Sequence, residues 1–338
     1  MKLPSLIITS IAGPRNGILV QYAKACAKRG VPFFLIGDVP SPQDFTLEGC
    51  RFYGIEDQQK LDFRCLKNLP LRHYARKNIG YLLAIREGAQ IIIETDDDNV
   101  PEEGFWNERS EVNEGAFIKG AGWVNAYSYF TDEQIWPRGY PLDLIKNTDF
   151  PSHIPHVKEI KCPVQQGLAN DNPDVDAIYR LVAPLPLRFR DEGNLILGEG
   201  SWCPFNSQNT TWFPHAFPLL YLPSFCSFRM TDIWRSFVAQ RICWANGWGL
   251  LFHGPTVSQI RNDHDLMKDF NDEIAGYLHN RAICDSLAAL PLKSGISGIP
   301  ANMMKCYEQL TVLGHIDAKE LTLLEAWLRD LDEVTPKK

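Results

Sequence analysis

The chain has 338 residues, of which 45% are hydrophobic and 22% charged, as expected for a globular protein with one large domain or two ordinary ones. A formal net charge of −7 argues against a nucleic-acid partner held by bulk electrostatics. The first apolar run is short and broken by Ser and Pro, and no later run is long enough to span a bilayer, so we expect neither a signal peptide nor a transmembrane segment.

The first hundred residues alternate between strand and helix patterns. The apolar run LIITSI predicts a strand, and GILVQYAKACAKRG (17–30) predicts an amphipathic helix that Gly30 ends. VPFFLIGD and CRFYGI predict two more strands, LRHYARKNIGYLLAIREG (71–88) predicts a helix, and AQIIIETDDDN predicts the strand after it. Apolar strands separated by helices indicate an α/β fold with a mostly parallel central sheet and helices on both faces.

The rest of the chain divides into a loop-rich middle and a helical end. The middle is rich in Pro, Gly, Trp and Asn and predicts loops with short strands, VDAIYRL (175–181) among them. MTDIWRSFVAQRICWANGWG predicts a helix that Thr231 caps. After residue 270 the pattern is largely helical. We therefore expect one domain over residues 1–285 and a helical C-terminal extension over residues 286–338.

Nine cysteines occur at irregular spacing, without a CxxC pair. A zinc site would show closer pairs, and a secreted disulfide framework would show an even count. We therefore expect reduced thiols in a reducing compartment, which favours a cytoplasmic location. A homo-oligomer is left open.

Three consecutive aspartates, Asp96, Asp97 and Asp98, follow directly after an apolar strand. Ligands of parallel sheets gather at the carboxyl ends of the strands, which is where this strand delivers the cluster. A D-x-D pair places Asp96 and Asp98 on one side of the backbone with Asp97 facing away, and Mg²⁺ and Mn²⁺ prefer such oxygen ligands. An isolated acidic run is often only a solvated turn, but the position at the sheet edge favours a metal site.

The helix before this strand carries a basic, polar triplet, Arg76, Lys77 and Asn78. Asn78 occupies an apolar helix face where Leu would be expected, and a buried polar group needs a partner. One interpretation is an Asn bonded to a neighbouring loop. The other is that the triplet lines a nucleotide-phosphate pocket, where Arg and Lys offset phosphate charge.

Two later segments carry further candidates. Asp232 lies in the first turn of a predicted helix, where a carboxylate complements the helix dipole and is also well held for general-base catalysis. In QIRNDHDL, Arg261 and Asn262 are placed to close over a diphosphate, and His264 is a candidate third metal ligand. A lone surface His is the alternative for His264.

Several longer motifs together resemble a known family. RKNIGYLLAIREGAQIIIETDDDN, IWPRGYPL, VQQGLANDNPDVDAIYRL, PFNSQNTTWF and MTDIWRSFVAQRICWANGWG occur in the order found in the STELLO-like glycosyltransferases. More distantly, the same layout resembles the reversibly glycosylated polypeptides, which are UDP-arabinopyranose mutases. The resemblance covers about residues 5–285.

This resemblance implies a GT-A fold with a nucleotide-binding half (1–100) and an acceptor-binding half (101–285). It implies a nucleotide-sugar donor, most often UDP-linked, a saccharide acceptor, Mn²⁺ or Mg²⁺ at the DxD motif, and a role in polysaccharide biosynthesis. Asp232 matches the place of the base in inverting enzymes, and three other carboxylates are alternatives: Asp174, Asp176 and Asp263. Three residues at the ends of the first two strands are expected beside the nucleoside: Thr9, Ser10 and Asp38.

The sequence also departs from these families. The mutases carry a His after the late strand, where this chain reads PTVSQ, so the third metal ligand is His264 or is missing. Plant STELLO proteins carry a membrane anchor that this chain lacks, which favours a cytoplasmic enzyme over a trimmed lumenal Golgi domain. Three functions follow: an inverting metal-dependent glycosyltransferase, a UDP-sugar mutase, or a non-catalytic carbohydrate-binding protein. The intact acidic cluster and Asp232 argue against the third.

Overall fold

The structure, a computed structural model, describes residues 4–146, 156–262 and 265–336. Its α-helices are α1 (Gly17–Arg29), α2 (Ile55–Gln59), α3 (Lys77–Arg86), α4 (Tyr127–Phe130), α5 (Ala177–Val182), α6 (Thr231–Ala245), α7 (Leu266–Ala289), α8 (Ile299–Val312) and α9 (Lys319–Val334). Its strands are β1 (Ser5–Thr9), β2 (Phe33–Ile36), β3 (Arg51–Tyr53), β4 (Ile92–Asp96), β5 (Asn99–Pro101), β6 (Val112–Ile118), β7 (Gly122–Trp123), β8 (Val157–Lys161), β9 (Val164–Asn170), β10 (Asn194–Leu197), β11 (Ser201–Trp202), β12 (Asn209–Trp212) and β13 (Leu250–Gln259). Two short 3₁₀ turns, Tyr74–Arg76 and Phe228–Met230, precede α3 and α6.

The predicted α/β arrangement is confirmed, with one large sheet flanked by helices. The sheet runs in the order β3-β2-β1-β4-β12-β9-β13-β10-β6-β8, and β5 pairs with β13. β3, β2, β1 and β4 are parallel, and their register sets Thr9 opposite Asp96 at the carboxyl ends of β1 and β4. The acidic cluster is therefore delivered to the edge at which parallel sheets bind ligands.

Helices cover both faces of this parallel region because alternate residues of β1 point in opposite directions. Ile7 packs in the apolar cluster that contains Ile79 of α3. Leu6 and Ile8 pack in a second cluster with Leu19 of α1. Helix α1 ends at Gly30 as predicted, because that residue adopts the left-handed conformation (φ 68°) that glycine tolerates best.

The expectation of a mostly parallel sheet is correct only for this first part. β12 runs antiparallel to both β4 and β9, and β13 runs parallel to β9 but antiparallel to β10 and β5. β9 and β12 are buried along their whole length, although their sequences, VQQGLAN and NTTW, are not apolar runs. The sequence pattern therefore predicted neither of these two strands nor their direction.

Two local predictions in the second half are wrong. VDAIYRL is not a strand: Asp176 accepts a hydrogen bond from the Tyr179 amide through its side chain (2.7 Å) and starts helix α5. Thr231 does not cap α6 but is its first helical residue, because the chain enters α6 directly from the 3₁₀ turn before it.

The last helix, α9, is bonded to segments from both halves of the chain. Asp330 of α9 accepts hydrogen bonds from the amides of Arg64 (2.9 Å) and Cys65 (2.8 Å). Glu320 accepts from the amides of Ser224 (2.9 Å) and Phe225 (2.7 Å). Helix α7 runs without a break through residue 285, where a domain boundary was expected, and that boundary stays a prediction.

All nine cysteines lie in the described ranges and are free thiols, as expected. Within those same ranges, no helix combines the length and the apolar character that a membrane crossing needs.

Candidate functional site

A cleft of about 350 Å³ opens at the carboxyl ends of β1 and β4. It brings together several residues that the sequence nominated: Thr9, Asp96, Asp97, Asp98, Asp232 and Arg261. A second cavity of about 310 Å³ adjoins it and is lined by Ser10, Asp38 and Arg76. Thr9, Tyr74, Asp97 and Phe228 line both cavities, so the two form one continuous groove.

Asp96 is held by a buried lysine. The Lys77 ammonium donates to Asp96 Oδ1 (2.8 Å) and to the carbonyls of Thr95 (3.1 Å) and Ser207 (3.3 Å), and Lys77 is fully buried. These contacts use all three donors of the ammonium, so the expectation that Lys77 contacts a nucleotide phosphate is not supported. The Asp96 side chain is 37% exposed, and it lines the cleft.

The other two members of the basic triplet also have structural partners. The Arg76 guanidinium donates to Gln58 Oε1 (2.8 Å) and to the carbonyl of Pro70 (3.2 Å). The Asn78 amide exchanges two hydrogen bonds with the backbone of Leu222, each of 2.9 Å. Asn78 therefore fits the first interpretation, an Asn bonded to a neighbouring loop, and the structure does not bring it to the cleft.

Of the three aspartates, Asp98 has the surroundings that most disfavour a negative charge. It is 8% exposed, and Oδ2 accepts from Gln259 Nε2 (3.0 Å), while Oδ1 is buried without a hydrogen-bond donor among the described residues. Burial, reinforced by the charges of Asp96 and Asp97, raises the pKa of Asp98 to about 7. A cation at this carboxylate would relieve both the desolvation and the repulsion.

Asp97 does not face away from the cleft, contrary to the D-x-D expectation. Strand β4 ends at Asp96, and the chain turns there, so the alternation of side chains along a strand no longer applies. The Asp97 carboxylate lines both cavities and accepts a hydrogen bond from the Ser10 hydroxyl. Ser10 and Asp97 thus connect the ends of β1 and β4.

The side chains of the acidic cluster fit a metal ion whose remaining ligands would be oxygen atoms of the substrate. No group of three His, Cys, Asp or Glu side chains in the described part of the chain could hold a metal by itself. Mg²⁺ is nevertheless commonly held by one or two carboxylates together with substrate phosphates, and the unpartnered oxygen of Asp98 suits that arrangement. His264, the expected third ligand, and Asp263 lie outside the described residues.

Opposite the acidic cluster, one arginine joins two carboxylates. Arg138 donates to both oxygens of Asp232 (3.0 and 2.9 Å) and to both oxygens of Asp174 (2.9 and 2.8 Å). Burial alone would raise the pKa of Asp232, but Arg138 outweighs it and lowers that pKa to about 2. The pKa of Asp174 is lowered for the same reason, so both carboxylates are ionised at neutral pH.

Asp232 and Asp174 differ in the number of hydrogen bonds that their carboxylates accept. Asp232 also accepts from the Ser207 amide (3.2 Å) and the Tyr74 hydroxyl (3.3 Å), so each of its oxygens has at least two donors. Asp174 receives one further bond, from the Asn206 amide group at Oδ2 (2.9 Å), so that among the described residues Arg138 is the one donor to Oδ1. Asp176, two residues later, is fully buried at the start of α5 and bonds Trp136 (2.7 Å).

Two more arginines line the cleft and form ion pairs with carboxylates of helix α7. Arg229 donates to Glu273 (2.8 Å), and Arg261 donates to Asp269 (2.7 Å). Neither of these carboxylates lines the cleft, whereas both guanidinium groups do. Asn262, predicted beside Arg261 as a diphosphate contact, is exposed and does not line the cleft.

The adjoining cavity has an aromatic wall. The rings of His73 and Tyr74 are stacked (5.5 Å between centroids, 12° between planes), and Phe228 meets both edge-on. Asp38 is fixed by the amides of Val39 (2.7 Å) and His73 (2.9 Å). A flat aromatic surface beside an oriented carboxylate suits a planar heterocycle with N–H groups.

Sequence reasoning did not single out Arg138, Asn206, Ser207 or Arg229, and it named Gln259 only as part of PTVSQ, the segment that stands where the mutases carry a His. Arg138 lies in IWPRGYPL, and Asn206 and Ser207 lie in PFNSQNTTWF, two of the motifs that carry the family resemblance. That resemblance was the available signal, because nothing in the local pattern indicates which polar residue of a loop faces a cleft.

Comparison with known proteins agrees with the resemblance. The family described as STELLO glycosyltransferases matches residues 229–337. Probable glycosyltransferase STELLO2 of Arabidopsis thaliana is 31% identical over an alignment of 264 residues, and the match covers 72% of this chain and 34% of that protein. Probable glycosyltransferase STELLO1 of the same plant is 30% identical over an alignment of 251 residues, and the match covers 69% of this chain and 33% of that protein.

The chain thus spans about one third of the length of these curated relatives. The crystal structure of a mycobacterial protein is also similar, with a TM-score of 0.42 and 10% identity over 83% of this chain and 75% of that chain. On the family match and the two plant relatives, the chain belongs to the STELLO-like glycosyltransferase family.

Proposed function

We propose that this chain transfers a sugar from a UDP-linked donor to a saccharide acceptor, with inversion and with a divalent metal, in polysaccharide biosynthesis. The observation that carries the proposal is the continuous groove. An aromatic, nucleoside-sized cavity leads directly into a cleft that is lined by both carboxylates and arginines. The order of these surfaces matches the order of base, diphosphate and sugar in a nucleotide sugar.

The donor would lie along the groove from the second cavity into the cleft. Its base would stack on the aromatic wall beside Asp38, and its diphosphate would lie between Asp98 and Arg229. A bound Mg²⁺ or Mn²⁺, held by Asp96 and Asp98, would neutralise charge on the departing diphosphate. Among the described residues, Arg138, Arg229 and Arg261 are the basic side chains that line the cleft, and Arg138 is already paired with two aspartates.

The acceptor proton needs a base, and the expected base was Asp232. Both oxygens of Asp232 already accept several hydrogen bonds, which supports a role in holding Arg138 rather than in taking a proton. Asp174 Oδ1 meets fewer donors, so we assign the base to Asp174. The acceptor oxygen forms a bond to the anomeric carbon, the bond from that carbon to the diphosphate breaks, and the proton passes to Asp174.

The test is a measurement of nucleotide release. UDP-hexoses and UDP-pentoses are first ranked by thermal shift with Mn²⁺, and UDP release from the best donor is followed with and without a mixture of neutral oligosaccharides. We expect release that the oligosaccharides accelerate. A change in the ring form of the donor sugar without UDP release would identify a mutase instead, and binding without any turnover would identify a carbohydrate-binding protein.

A further inference from the structure

Two buried oxygen atoms beside the acidic cluster have no hydrogen-bond donor among the described residues: Asp98 Oδ1 and Gln259 Oε1. They belong to side chains that are bonded to each other, because Gln259 Nε2 donates to Asp98 Oδ2 (3.0 Å). Both residues line the cleft. The unpartnered atoms are therefore the remaining oxygens of one hydrogen-bonded pair.

The backbone holds this pair in place. Gln259 is the last residue of β13, and it is paired in register with Asn99 of β5, the residue after Asp98. The Ile260 amide also donates to the carbonyl of Asp98 (2.8 Å). Asp98 and Gln259 are thus brought together by strand pairing.

Two neighbouring unpartnered acceptors favour a cation. A buried acceptor without a partner is unfavourable, and a buried carboxylate next to two other carboxylates is more so. Since the amide group of Gln259 uses its N–H side on Asp98, its carbonyl oxygen remains available. Carboxylate and amide oxygens are the ligands that Mg²⁺, Ca²⁺ and Mn²⁺ prefer.

We propose that Gln259 Oε1 is a protein ligand of the metal, beside Asp98 Oδ1, and that this oxygen ligand makes the site favour Mg²⁺ and Mn²⁺. The inference rests on the metal requirement of the proposed function but not on turnover.

The experiment titrates the full chain with Mn²⁺ alone, followed by electron paramagnetic resonance of free Mn²⁺, and repeats the titration with UDP present. Gln259→Leu is expected to weaken Mn²⁺ binding roughly 10- to 100-fold. Gln259→Glu keeps an oxygen ligand but loses the N–H donor, and it is expected to bind Mn²⁺ at least as tightly as wild type. Ser258→Ala is the matched control, because the Ser258 hydroxyl bonds Glu102 instead.

A second readout reports the ligand type directly. Gln259→His introduces a nitrogen ligand, so the visible absorption spectrum of bound Co²⁺ should change relative to wild type, and affinity for Co²⁺ should rise relative to Mg²⁺. An unchanged Co²⁺ spectrum would contradict direct ligation.

The outcomes separate this inference from the proposed function. If Gln259 only orients Asp98, then Gln259→Glu weakens Mn²⁺ binding as much as Gln259→Leu does, and the assignment is wrong. Equal Mn²⁺ affinity in wild type and Gln259→Leu also overturns it, as does an absence of Mn²⁺ binding with and without UDP. Mn²⁺ binding that depends on Gln259, in a protein that turns over no nucleotide sugar, would uphold the inference while the proposed function fails.

Discussion

Lys77 and Arg261 illustrate how two cations near one cleft take different roles. Lys77 is fully buried and donates to three oxygen atoms, so it neutralises Asp96 and fixes the end of β4. Arg261 is bonded to Asp269 and lines the cleft. Phosphate charge is therefore expected to be met by Arg261 and its neighbour Arg229 rather than by the basic triplet that precedes the DxD motif.

Asp174→Asn should remove the base while keeping a similar shape. Turnover of the UDP-sugar is expected to fall by roughly a hundred- to ten-thousand-fold, with UDP affinity little changed because Asp174 does not lie in the nucleoside cavity. Azide carries no proton, so transfer to azide should survive in this variant. The measurements are kcat with water or saccharide as acceptor, glycosyl azide formation, and UDP affinity by calorimetry.

Asp232→Asn and Asp176→Asn complete the comparison. Asp232→Asn removes one partner of the buried Arg138 and should mainly lower the free energy of unfolding. Asp176→Asn alters a buried helix start outside the cleft and should leave turnover intact. Near-normal turnover in Asp174→Asn, together with a collapse of turnover in a well-folded Asp232→Asn, would identify Asp232 as the general base instead.

His73 should make stability depend on pH. Burial lowers its pKa from 6.5 to about 4, and its Nδ1 accepts a hydrogen bond from the Ala75 amide (3.0 Å) that only the neutral ring can accept. As pH falls, His73 therefore takes up a proton in the unfolded chain at a higher pH than in the folded chain. The contribution of neutral His73 to the free energy of unfolding is complete above pH 6.5 and is lost as pH falls towards 4. In His73→Asn the side chain can still accept this bond but does not titrate.

Urea unfolding at pH 7 and pH 5 measures this effect. Wild type should lose on the order of 1–2 kcal/mol more than His73→Asn between the two values. Equal losses in the two proteins would show that the ring is not held in its neutral form.

At the scale of the elements, helix α3 depends on close contact with the sheet. A Cβ atom at Gly80 would lie 2.6 Å from Ile7 Cγ2 and 3.0 Å from Ile36 Cγ1, the residues of β1 and β2 beneath it. Gly80→Ala should therefore destabilise the protein by about 1–3 kcal/mol despite the higher helix propensity of Ala. It should also weaken UDP binding, because α3 carries Lys77 to the end of β4.

Gly17→Ala is the control for this change. Gly17 begins α1, and a Cβ atom there would meet nothing within 4 Å, so the substitution should be neutral or stabilise by up to about 1 kcal/mol. Both variants are compared by urea unfolding. A Gly80→Ala protein as stable as Gly17→Ala would contradict the packing of α3 described above.

The elements also show which sequence patterns were informative. Helices α1 and α6 were predicted because their apolar periodicity extends over 13 and 15 residues. Helix α5 has only 6 residues, and its Ile and Tyr resemble a strand, so the pattern was misleading where the side chain of Asp176 decided the conformation. Strand directions in the second half were equally hidden, because direction is set by pairing between distant segments.

At the scale of the whole molecule, the cleft was predictable only in part. Asp96, Asp97 and Asp98 were identified because an apolar strand leads directly to them. Arg138 is separated from Asp174 by 36 residues and from Asp232 by 94, and no local pattern links the three. Charge pairs of this kind depend on how long loops pack over the sheet edge, which a single sequence does not specify.

The central claim is that the groove binds a uridine nucleotide through a metal held by the acidic cluster. The most direct test is calorimetry of UDP binding in the presence of Mn²⁺, for wild type, for wild type with excess chelator, and for Asp98→Ala. Asp57→Ala is the control, since Asp57 is an exposed partner of Lys60 (3.0 Å) and lines neither cavity of the groove. We expect affinity to fall by about 100-fold with chelator and in Asp98→Ala, equivalent to about 2.7 kcal/mol, and to be unchanged in Asp57→Ala. UDP affinity that is the same in all four titrations would contradict the account.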